Sequence, residues 1–380
     1  MAAAVLVATF GRAGGRWWYE AVASQRRFRR RRRLAAHQVL AGAVAGSAGP
    51  PQVPWLRTLS PTFALRSIRV GTATVGVGTD HDGWFAAVEV GSFWDDDVLL
   101  EPIRLSRSFL VARTGPVPPG QLALGEVALR DVALRDVVLG ELASLAQPGS
   151  DRAAVSCVQV ILVPGATPDL PWPAWVAVRL TPADALATEF AGGTAAVERS
   201  VAAAALRAAR TLNGHGWPAR AADREGLLAV LVESTGLDGP PQEHWSVWRS
   251  GLISRTHYEI SGWTPAHGTL ALGVTQLAVL YTRRGEPHVL AAVAAQPAFL
   301  AQLCRGVVRA GAERGVRLRR LDGEQALAAY ATAATAAALA SGRPPRDHRS
   351  RDNRSRDNLD RARGPATATE AGRLSNGSAV

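Results

Sequence analysis

From Leu65 the chain alternates apolar and polar positions, with Ile68, Val70, Thr72 and Thr74 in phase. Asp80-His81-Asp82-Gly83 then supplies turn chemistry, and Trp84–Val90 returns with Trp84, Ala86, Val88 and Val90 on one face, which predicts a hairpin. Ala154–Val163 and Ala174–Leu180 are nearly continuous apolar runs of the kind found in buried strands. Thr194–Leu212 switches to helical spacing, with Val197, Val201, Ala204, Ala208 and Leu212 in line and Asn213-Gly214 as the stop. A strand over Trp217–Ala221 and a helix around Glu225–Val232 follow.

The same order recurs downstream. Leu252–Ile260 alternates, placing Thr256, Tyr258 and Ile260 on one face and Arg255, His257 and Glu259 on an outward one. Gln276–Arg283 and His288–Ala294 flank a Gly285-Glu286 turn; Pro297–Glu313 is a helix with Leu300, Leu303, Val307 and Gly311 inward; Val316–Leu321 is a strand. A shift of 99 residues matches Arg210 with Arg309, Gly216 with Gly315, Arg220 with Arg319, Asp223 with Asp322, Glu225 with Glu324 and Leu228 with Leu327. The expectation is a mixed α/β fold of two related halves, about 62–235 and 243–335, forming a mixed sheet covered by helices within a domain at 62–335. Between the first hairpin and Ala154 lie Leu99–Val111, a Pro/Gly break and the pentamers of Val127–Glu141, read as a helix that arose by local expansion.

Charge changes the picture at the ends. The 380-residue chain carries +11, and all 43 basic residues are arginine. Residues 1–34 hold +8 and residues 343–380 hold +4, so the middle is nearly neutral. Without lysine there is no P-loop lysine, Schiff base or lysine general base. Cys157 and Cys304 are far apart in apolar surroundings and read as reduced core thiols.

Met1–Phe10 is apolar but about half the ~20 residues of a membrane span. It is followed by Trp17, Trp18 and Tyr19, then Arg26, Arg27, Phe28 and the run Arg29, Arg30, Arg31, Arg32, Arg33. Aromatic rings favour the headgroup layer, and arginines beyond it favour the anionic cytoplasmic leaflet. The order apolar, aromatic, basic is that of a helix leaving a membrane, so residues 1–50 are read as a partial transmembrane and juxtamembrane segment whose span begins upstream. A basic helix that lies on a membrane surface or binds nucleic acid is the rival. Residues 340–380, with their Arg/Asp repeats, are expected to be a disordered tail.

Candidate chemistry is sparse. Asp95-Asp96-Asp97 offers hard carboxylate ligands of the kind a metal-dependent glycosyltransferase-like enzyme would use, and otherwise reads as a solvated turn. The eight histidines show no HExxH or Cys/His spacing, and His257 reads as a surface residue. Gly76 and Gly78 fall within a strand and mark a bulge or close packing. Glu243, Trp245, Trp248 and Arg249 form either a core corner or a docking surface, with Trp245, Trp248 and Arg249 the candidate docking residues. No catalytic, cofactor-binding or metal-binding residue is assigned.

Several segments together resemble the EccE component of the type VII (ESX) secretion machinery. They are Arg16–Glu20 with Arg29–Arg33, the hairpin Val75–Val90, Glu243–Arg249 with Thr256–Tyr258, and Gly315–Glu324 leading to Tyr330–Thr332. The resemblance implies a non-enzymatic subunit of an inner-membrane complex, anchored by two amino-terminal helices, with its α/β domain in the cytoplasm beside EccB, EccC and EccD. It implies no cofactor and no small-molecule substrate.

Overall fold

A computed structural model describes residues 12–13, 16–17, 22–34, 50–91, 155–163, 174–189, 193–262, 274–282 and 287–339. All of them lie in one compact unit that ends at Leu339. The elements in chain order are α1 (residues 22–34), α2 (Gln52–Leu59), β1 (Ala64–Val70), β2 (Ala73–Asp80), β3 (Gly83–Val90), β4 (Cys157–Leu162), β5 (Ala174–Leu180), α3 (Pro182–Glu189), α4 (Gly193–Gly214), β6 (Ala219–Ala221) and α5 (Arg224–Thr235). Then come β7 (Gln242–Glu243), β8 (Trp248–Ser250), β9 (Ile253–Ser261), β10 (Gln276–Thr282), β11 (His288–Ala295), α6 (Pro297–Glu313), β12 (Arg317–Arg320) and α7 (Gln325–Thr332). The fold is mixed α/β, as the periodicity predicts. The Leu99–Val111 and Val127–Glu141 segments, Asp95–Asp97, the Gly285-Glu286 turn and the expected tail lie outside the described residues, as do Met1–Phe10, Trp18 and Tyr19.

Twelve strands form one sheet in the order β1-β2-β3-β5-β4-β10-β11-β9-β8-β7, with β6 added to β3 and β12 added to β9. Every pairing among these strands is antiparallel, so the mixed sheet expected above is corrected to an antiparallel one. The single strand expected across residues 65–74 is also two, because Gly71 takes φ +60 and turns the chain between β1 and β2. The first module is thus a three-stranded meander.

The repeat seen in sequence becomes a register. Arg220 of β6 faces Glu89 of β3, and its match Arg319 of β12 faces Glu259 of β9. Stepping inward, Glu89 faces Trp175 and Trp175 faces Ile161, while Glu259 faces Leu290 and Leu290 faces Ala278. The two series end on residues that are each other's partners, Ile161 and Ala278, where β4 joins β10. A local two-fold axis therefore passes through the centre of the sheet.

Alternation sends the strand side chains to two cores. On one face, Val75, Val77, Val88, Val158, Val176 and Val178 pack under α4, and Leu277, Val279, Val289 and Val293 pack under α6. On the other, Phe85, Ile161, Trp175, Ala278 and Leu290 meet α2, α5, α7 and the chain from Ala333 to Leu339 in one cluster spanning both halves. The α4 stripe predicted from sequence is buried throughout. In α6, Leu300, Val307 and Gly311 are inward but Leu303 is 41% exposed, a correction to the expected inward set.

Covering both faces overturns a second expectation. Alternation puts His257 and Arg255 opposite Tyr258, but opposite is not outward here, because α5 and α7 cover that side. His257 is fully buried, its backbone N–H and Nδ1 at 2.9 and 3.0 Å from Gln325 Oε1. Gly76 and Gly78 serve close packing: a Cβ on Gly76 would lie 2.4 Å from the Asp223 carbonyl oxygen, and one on Gly78 2.3 Å from the Phe85 ring. Cys157 is buried and Cys304 half-buried, and the two form no disulfide.

Candidate docking surface

Ser24, Arg27, Phe28 and Arg31 recur at i, i+3, i+4 and i+7, so one stripe of α1 faces the domain. Phe28 is its apolar member and meets Trp245 edge-on, with ring centroids 5.4 Å apart. Two carboxylates receive the polar members. Glu243, whose side chain is only 7% exposed, accepts from Arg31 Nη2 at 3.0 Å and from the Ala326 N–H at 3.1 Å. Glu324, with its side chain 8% exposed, accepts from Ser24 Oγ at 3.4 Å and pairs with Arg27 at 3.8 Å. Arg31 Nη2 also donates to the Gly323 carbonyl. Burying two carboxylates costs free energy unless cations and donors face them, and α1 supplies both.

Trp245 forms the floor beside the helix. The Gly323 N–H donates to the Trp245 carbonyl at 2.6 Å, and a Cβ on Gly323, whose φ is +75, would sit 2.5 Å from the indole ring. Glycine is required there on both grounds. Trp245 remains 38% exposed, and Arg249 is exposed on β8. Trp248 is not part of this surface: it is 2% exposed, and its Nε1–H donates to the Thr235 carbonyl at 3.2 Å, making it a core corner.

The arginine run is divided by helix geometry. Arg31 is partly buried against Glu243 and Arg27, though its side chain is 50% exposed, reaches Glu324, whereas Arg26, Arg29, Arg30, Arg32 and Arg33 are exposed and no carboxylate among the described residues pairs with them. Arg32 lies over the Phe28 ring, 5.7 Å from its centroid. Gln25, Phe28, Arg29, Arg32, Arg33 and Trp245 line an open cleft along the helix. Trp17 lies in a two-residue strand, Arg16–Trp17, paired with Arg12–Ala13. Nothing in the sequence pattern marks Glu324 and Ser24 as partners or divides the arginine run, save the spacing of Phe28 between Ser24 and Arg31.

A second polar cluster is internal. Arg179 donates to both oxygens of Asp80 at 2.7 Å and to the Thr335 carbonyl at 2.8 Å, stacks on Phe85 at 5.0 Å, and Tyr330 Oη donates to Asp80 at 2.6 Å. Burial alone would raise the Asp80 carboxyl, but the hydrogen bonds and charge of Arg179, helped by Tyr330 and the Asp82 N–H, hold it below the usual carboxylate range. His81 and Asp82 bring two more ligand-type groups within 4.8 Å of Asp80, but a metal there would have to displace the Arg179 fork. The cluster is a structural tie.

Sheet, paired halves and helix dock define a class, an α/β domain that seats a basic helix on an acidic, aromatic socket. Residues 173–260 match the family described as "Putative type VII ESX secretion system translocon, EccE", in agreement with the resemblance carried by the sequence segments. The match runs from the start of β5 through the junction of the halves to β9 and includes Glu243 and Trp245. No curated protein matches the chain. Among the described residues, no helix is long and apolar enough to cross a membrane.

Proposed function

We propose that this chain is a non-enzymatic structural subunit of a type VII (ESX) secretion complex at the inner membrane, whose α/β domain lies on the cytoplasmic side and docks other subunits, EccB, EccC and EccD among them. The observation that carries the reading is the family match over residues 173–260. The α1 dock supports it, because a basic helix seated by Glu243 and Glu324 ties the amino-terminal segment to the domain. Arg249, exposed on β8, is the side chain offered to a neighbouring subunit. Energy for transport would come from a partner ATPase, since a chain without lysine has no P-loop.

The test is affinity purification of the chromosomally tagged protein from detergent-solubilised membranes, with export of an ESX substrate followed in parallel. Co-purification of the other Ecc subunits, and loss of export on deletion, is the expected result. A protein that purifies alone and whose deletion leaves export intact overturns the reading.

A further inference from the structure

The outward face of α1 is mainly cationic, with Leu34 its one large exposed apolar side chain among the described residues. Arg26, Arg29, Arg30, Arg32 and Arg33 occupy it, so the helix is suited to lie against an anionic surface and not to insert into one. Its two flanks differ. Toward Arg26 and Arg30 the exposed neighbours are Ala23 and Leu34, whereas toward Arg29, Arg32 and Arg33 the guanidinium groups rim a cleft whose floor is the Phe28–Trp245 pair. A guanidinium rim matches phosphate oxygens bidentately, and a half-exposed indole beside it suits the region where glycerol and acyl chain begin.

We propose that this cleft binds the headgroup of an anionic phospholipid, with Arg29, Arg32 and Arg33 on the phosphate and Trp245 against the glycerol backbone. The inference rests on the membrane-associated reading above and adds a ligand class and a site to it. Position favours a lipid over nucleic acid: α1 starts five residues after Trp17, so Trp17, a residue suited to the headgroup layer, lies at most ~17 Å from the first residue of the helix that carries the cleft. Nucleic acid would use the whole arginine face evenly and would have no need of the aromatic floor.

Vesicle co-sedimentation of the full 380-residue chain tests the site, comparing phosphatidylcholine vesicles with vesicles containing phosphatidylglycerol. Phosphatidylcholine sets the contribution of the apolar amino terminus. The excess binding to phosphatidylglycerol should fall roughly fivefold for Arg29→Gln and on the order of a hundredfold for the triple change Arg29→Gln, Arg32→Gln, Arg33→Gln. Arg30→Gln, of equal charge on the other flank, should change it by less than about twofold, and Trp245→Leu should weaken it with charge unchanged. Equal losses for Arg29→Gln and Arg30→Gln, or no effect of Trp245→Leu, would overturn the cleft in favour of a diffuse basic face. Displacement of the vesicles by duplex DNA at equal phosphate concentration would overturn the lipid. A thermal melt confirms that each surface variant is folded, and co-purification of secretion subunits remains a separate readout of the functional reading.

Discussion

The two halves of the sheet are related by a local two-fold axis, yet each buries its guanidinium in its own way. In the first, Arg179 of β5 is gripped by Asp80 of β2, and the Asp80 charge holds it protonated against the opposing effect of burial. The register equivalents in the second half are Ala294 and Ser250, which cannot form that pair. There the buried cation is Arg255 of β9, standing where the first half has Phe85. It donates to the Ser234 and Glu233 carbonyls at the end of α5 and to the Gln276 side chain, and its Nε is unpaired. Burial pushes it down to about 10, only partly offset by Asp238 and Glu233. The two-fold-related halves thus share register but not polar chemistry, because register is set by strand pairing along the whole sheet whereas a polar tie needs only local partners.

The largest difference between the halves should come from Asp80→Ala. It leaves Arg179 buried without its carboxylate and should cost about 3–5 kcal/mol in urea unfolding, while Asp80→Leu combined with Arg179→Met recovers most of the loss. Ser250→Ala, at the equivalent place, removes only the bonds to Gly239 and should cost about 1–2 kcal/mol. Equal losses would mean the halves are tied alike after all.

Acid should expose the second difference. His257 is held neutral by burial, with its pKa pushed down to about 3, whereas Ala87 occupies the same place in the first half. Because the unfolded imidazole takes up its proton near 6.5, the native contribution is complete above that pH. It is lost at roughly 1.4 kcal/mol per pH unit as pH falls toward 3. His257→Asn should flatten the dependence of unfolding free energy on pH between about 6.5 and 4; a slope unchanged by it would assign the acid sensitivity elsewhere.

Gln159 and Gln276 are two-fold mates that both clasp the chain after α7. Gln159 donates to the Ala331 carbonyl and accepts from the Ala336 N–H, and Gln276 donates to the Thr332 carbonyl. Each change to Ala should cost about 1–3 kcal/mol, since Gln159→Ala frees two backbone groups and Gln276→Ala frees the Thr332 carbonyl and one donor of Arg255. The smallest effects belong to the repeated surface pair. Arg220→Ala should cost a few tenths of a kcal/mol, since Arg220 is mostly exposed, and Arg319→Ala about 1 kcal/mol. Glu259 sits between His288 and Arg319, and the His288 hydrogen bond with the Arg319 charge lowers it to about 2 despite burial; high salt should narrow the gap between the two variants.

Much of this architecture was legible in the sequence where a pattern is local and periodic. The α4 and α6 stripes, the apolar runs of β4 and β5, and the glycine stops repeated at Gly216 and Gly315 follow from spacing and backbone freedom alone. The short helices α2, α3 and α7 were not legible: Gln325–Thr332 is an alanine-rich run buried on nearly all sides, with no polar face to give a period. His257 was misplaced for a related reason. Alternation assigns side chains to two faces but does not say whether helices cover both.

At the dock, the aromatic and basic residue types were visible but their division was not. Trp245 and Trp248 are three residues apart, and only the fold sends one to the helix and the other to the core. The sequence by itself determined the arginine run, the repeat and the strand and helix periods, because these are properties of neighbours along the chain. Tertiary structure decided which arginines meet Glu243 and Glu324, which remain free to face an anionic surface, and where the two halves join. Those outcomes depend on groups brought together from hundreds of residues apart, and burial gives them their energetic weight.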